Sequence, residues 1–167
     1  MINLVSGSSE STTGNVMPKD VELALQIGEE DYQCELTIEK VLLLVQSSLE
    51  RYPNGVWGHI FYGGVRSTAP ILNFAYIKEL GLFISINRDP HQFPSDTIYV
   101  LEANDDYDTT HTILWSQDRV IIPRAFCLQP QSGLTIIKHF CNTGDRSEDS
   151  RWRAIGRDVE WDMFRSV

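Results

Sequence analysis

The sequence predicts an α+β domain: an antiparallel β-meander sheet of about five to seven strands, flanked by one helix in the N-terminal half and one in the C-terminal half. Three observations carry this. Between residues 56 and 128 short β-branched and aromatic runs succeed one another, separated by turn residues. Strands this close leave no room for helical crossovers, which argues against a parallel sheet. The stretches 38–52 and 130–144 instead place apolar residues at helical spacing.

The elements follow in chain order. "VELALQI", 21–27, alternates Val21, Leu23, Leu25 and Ile27 against Glu22, Ala24 and Gln26, the period of a strand. "GEED" makes a turn, and "YQCELTI" alternates more weakly, with Tyr32, Cys34 and Leu36 on one face. The first helix carries Ile38, Val41, Leu42, Val45, Leu49 and Tyr52 on one stripe. Thr37 is its expected N-cap, Glu39 favours its first turn, and Pro53-Asn54-Gly55 ends it. "WGHIFYG", "ILNFAYI", "LGLFISI", "TIYVLEA", "HTILW" and "RVIIPRAF" are the expected meander strands. The second helix has Pro130 in its first turn, an apolar stripe of Leu134, Ile137, Phe140 and Cys141, and Gly144 just past its end. "SRWRAI" reads as a last short strand and "RDVEWDMFRSV" as a terminal helix.

The Ser/Thr/Gly-rich start reads as a flexible arm over 1–19, leaving a single domain over 20–167. The 14 basic and 23 acidic residues give a net charge of −9. Residues 145–167 hold five Arg and six acids, so the preceding 144 carry 9 − 17 = −8. An acidic body repels phosphate backbones, which argues against a nucleic-acid binder and suits a basic partner. The three cysteines form no CxxC pair, as expected of reduced thiols. The start lacks a basic, apolar secretory pattern, and the longest aliphatic run is "VLLLV". A cytoplasmic protein with no membrane partner is expected.

Signatures of chemistry are sparse. His59, His91, His111 and His139 are far apart, and no P-loop, GxGxxG or GxSxG occurs. Cys141 and His139 are two apart on a helix and face different ways. No catalytic, cofactor-binding or metal-binding residue is assigned. The densest acidic run is "EANDDYD", 102–108; counted as an EF-hand loop it has Thr109 and Trp115 where Gly and Glu are needed. Two readings of it stand: a solvated inter-strand loop, or an acidic patch meeting a basic partner through Glu102, Asp105, Asp106, Tyr107 and Asp108.

"IIPRAFCLQPQSGLTIIKHFCNTGDRSEDSRW", 121–152, resembles the C-terminal half of the Imm1 family of bacterial immunity proteins. In that family a strand ending at Pro leads into a helix closed by Phe-x-x-Thr-Gly, and a Trp follows. Here these are Pro123, Phe140, Thr143, Gly144 and Trp152. "ELTIEKVLLLVQSSL" and "PILNFAYIKELGLFISI" are similar to the family's first strand and helix and its central strands, so the likeness spans roughly 32–155. It departs at Ser147, where the family usually has Pro. The resemblance implies a non-enzymatic protein that binds a cognate toxin domain, such as a nucleic-acid deaminase, and blocks its active site. Two other classes compete: a small enzyme using a Cys/His or carboxylate pair, and an acidic mimic of nucleic acid.

Overall fold

The computed structural model describes residues 21–89, 98–115 and 118–155. The expected arm (1–19), the segment 91–93 between two prolines and the expected terminal helix (157–167) lie outside the described residues.

The α+β class holds. Seven strands lie side by side in the order β10-β6-β5-β4-β3-β1-β2, every neighbouring pair antiparallel. They are β1 (Leu23–Ile27), β2 (Gln33–Leu36), β3 (Gly55–Tyr62), β4 (Ile71–Ile77), β5 (Gly81–Asn87), β6 (Ile98–Leu101) and β10 (Trp152–Ile155). Two-residue β9 (Cys127–Leu128) pairs with β5 at Leu82 and Phe83, end to end with β6, which takes Ser85 to Asn87. Helix α1 (Ile38–Arg51) links β2 to β3, and α2 (Pro130–Thr143) links β9 to β10.

Alternation along the strands sorts the side chains onto two faces. On one, Leu23, Leu25, Ile60, Leu72, Phe74, Leu82, Ile84 and Ile86 are buried against Val41 and Val45 of α1 and Ile137, Phe140 and Cys141 of α2. Both helices therefore cover the same side. Thr37 caps α1, accepting the Lys40 N–H at 3.2 Å. Gly133 lets α2 settle on the sheet, because a Cβ there would lie 2.5 Å from a Leu82 methyl.

Two details differ from expectation. β7 (Thr110–Trp115) and β8 (Asp118–Pro123) do not extend the meander; they pair only with each other. The reason is burial. Val120 and Ile122, with Phe126 of the following 3₁₀ turn (Arg124–Phe126), form a second core with Ala75, Phe83 and Val100 on the face opposite α1 and α2. In β2, Leu23 faces Leu36 while Leu25 faces Gln33, so three steps on β2 answer two on β1. This bulge, with Glu35 at φ 55°, sends Leu36 to the helical core and Tyr32 to the other face, where its ring meets Phe61. Tyr32, Cys34 and Leu36 thus do not share a face.

Among the described residues no helix is long and apolar enough to cross a membrane.

Candidate functional site

The 102–108 segment is a built loop. Its backbone is tied to the 3₁₀ turn: Ala103 N–H donates to the Ala125 carbonyl at 2.7 Å, and Ala125 N–H donates to the Asp106 carbonyl at 2.8 Å. Glu102 N–H donates to the Arg151 carbonyl at 2.9 Å, joining the loop to the chain entering β10.

The side chains close the same junction. Glu102 is only 10% exposed. Its carboxylate accepts from Arg153 Nε at 2.7 Å, from Arg151 Nη2 at 3.3 Å and from the Tyr107 hydroxyl. Arg153 also donates to the Tyr107 hydroxyl at 2.8 Å and lies over its ring, 4.7 Å from the centroid. The Tyr107 ring packs edge-on against buried Phe126. Arg151 reaches outward to Asp105 at 2.8 Å.

Electrostatics follow from this geometry. Burial pushes the Glu102 carboxyl up, but the hydrogen bonds from Tyr107 and Arg153 and the charges of Arg153 and Arg151 outweigh it and hold the group below its ordinary value. Burial, then the bond to Glu102, raises the Tyr107 phenol. Asp106 is lowered by hydrogen bonds from Thr109, whose backbone N–H it accepts at 3.0 Å.

Of the five residues expected to meet a partner, four therefore have structural work. Glu102 is nearly buried, Asp106 and Tyr107 are half-buried in the loop, and Asp105 is paired with Arg151. Asp108 is exposed. The sequence reading missed Arg151 and Arg153. Their alternation around Trp152 was the available signal, because period 2 sends both to the side opposite the indole. Trp152 packs against the helical core and its Nε1 donates to the Ser147 carbonyl at 3.1 Å. A groove of about 660 Å³ opens beside the loop, floored by Leu101, Leu128 and Ile136 and edged by Glu102, Arg124 and Arg151.

The "HFCNTGDRSEDSRW" stretch is built as structure. Gly144 takes φ 69° and its N–H returns to the Phe140 carbonyl at 2.7 Å. Thr143 Oγ1 donates to the His139 carbonyl at 2.9 Å and accepts the Asp145 N–H at 3.2 Å. Cys127 and Cys141 are buried, and burial pushes their thiols up to about 11 and about 12. Cys34 is exposed. Among the described residues no group of three or more His, Cys, Asp or Glu side chains is placed to hold a metal ion.

Among the described residues, the fold and this junction combine an antiparallel sheet, two helices on one side of it and an acidic loop locked by two arginines. No family model matches the chain, and neither a curated protein nor a solved structure does.

Proposed function

We propose that this chain is a cytoplasmic immunity protein that binds a cognate bacterial toxin domain and blocks its active site. The observation that carries the reading is the Imm1-like pattern of Pro123, Phe140, Thr143, Gly144 and Trp152. Each of these has a structural use: Pro123 ends β8, Phe140 fills the core, Thr143 and Gly144 stop α2, and Trp152 pins the returning strand. The charge of −9 supports it, since a toxin acting on nucleic acid presents a basic substrate groove that an acidic protein can occupy and be steered to. The buried Cys127 and Cys141 thiols are held protonated, the opposite of an activated nucleophile.

The test is co-expression with the C-terminal domain of whatever protein the gene immediately upstream encodes. Restored growth and a co-purifying complex are expected. Continued toxicity with no complex would reject the reading.

A further inference from the structure

The acids are unevenly placed on the fold. Residues 21–39 hold Glu22, Glu29, Glu30, Asp31, Glu35 and Glu39, six acids with no Lys or Arg among them. All six are exposed. Among the described residues Glu30 is the one that forms an ion pair, with Arg51 at 3.5 Å. They surround β1, β2 and the start of α1, at the end of the sheet remote from β10 and the arginine-locked loop.

The face opposite α1 and α2 carries an aromatic row at this end. Trp57, His59 and Phe61 alternate on β3, with ring centroids 5.2 and 6.2 Å apart. Tyr32 meets Phe61 edge-on at 5.4 Å and is 49% exposed, one of the large hydrophobic side chains most open to solvent. The β7–β8 hairpin covers this face at Ala75, Phe83 and Val100, whereas His59 and Phe61 lie outside that core and are half-buried. Glu22 shares the alternation of Ala24 and Gln26, which pair with Phe61 and His59, so it flanks the row.

We infer that this face, with Tyr32 and Phe61 at its centre and Glu22, Asp31 and Glu35 at its rim, is the docking surface for a basic segment of a partner protein. Lys and Arg stems pack on the two rings, and their charged heads meet the rim carboxylates. Contact is through side chains and not by strand addition, because the bulge at Glu35 breaks the outer ladder of β2. The inference rests on the immunity reading for the partner's identity alone.

The test is an amide chemical-shift titration of the labelled full-length protein with an oligo-arginine peptide at low salt. Shifts centred on Tyr32, Cys34, Glu35 and Phe61 are expected, and they should fade at high salt. Tyr32→Ala with Asp31→Asn and Glu35→Gln, all at exposed positions, should weaken the peptide about tenfold or more, and Asp108→Asn by about twofold or less. Shifts centred on 102–108, or no shifts, overturn the inference. Failed growth rescue with the peptide still mapping here removes the toxin and leaves the surface. Rescue and complex formation untouched by the triple variant remove the surface and leave the toxin.

Discussion

Arg153 Nε donates to Glu102 Oε1 at 2.7 Å across 51 residues of sequence, in a pair where the carboxylate is 10% exposed and the guanidinium 35%. This contact, with Tyr107 bonded to both partners, ties the loop to β10.

Arg153→Met keeps much of the apolar stem and removes its donors, leaving a nearly buried carboxylate with Arg151 and the Tyr107 hydroxyl as its remaining partners. A loss of about 2 kcal/mol is expected. Urea unfolding monitored by tryptophan fluorescence measures it. A loss below about 0.5 kcal/mol would place this pair with ordinary surface salt bridges.

The same pair sets an acid limit. Glu102 is depressed in the folded state, so its contribution is present above the ordinary value of 4.5 and is lost as pH falls through the lower folded value. Without Arg153 the folded value rises towards 4.5. The stability lost as pH falls below 4.5 should therefore be smaller in Arg153→Met than in the wild type. Equal losses in the two proteins would show that Glu102 does not control it.

Gly144 serves two requirements at once. Its φ of 69° is strained for most residues, and a Cβ there would lie 2.7 Å from the Tyr62 ring, itself packed against Phe140. Gly144→Ala should cost about 2 kcal/mol. Gly144→Asn separates the causes, since Asn tolerates the left-handed region but still brings a Cβ to the ring. Comparable losses in thermal or urea unfolding would make the ring contact dominant; a neutral Asn variant would leave the backbone angle as the sole cause.

Much of the fold was legible because single-residue rules act locally. Thr37 and Gly144 mark helix ends by hydrogen-bond chemistry that needs no tertiary context. The period-2 runs of β1, β3, β4 and β5 are set by burial of one or both faces. The hairpin of β7 and β8 read as sheet strands because its alternation is the same whether it pairs at an edge or lies across a face. The β2 bulge was hidden because one extra residue changes the facing of Leu36 without changing composition. At the loop the acids were visible, but their charges were not the outcome. Arg151 and Arg153 stand 46 to 51 residues away from their partners and meet them only when β10 pairs with β6. The acids of 21–39 were legible one at a time, but their grouping around Tyr32 and Phe61 requires the sheet order.

The lock on the loop also has an order in time. During synthesis the chain emerges from its N-terminus, and folding units form as they appear. Glu102 is made 49 residues before Arg151 and 51 before Arg153. Until those cations arrive, the carboxylate cannot be desolvated without a large penalty, so the Glu102 side chain stays in water while β1 to β5 and α1 can already assemble. The two arginines thus act as a completion latch: β10 seals the junction, and a chain interrupted before it leaves Glu102 without its two cationic partners.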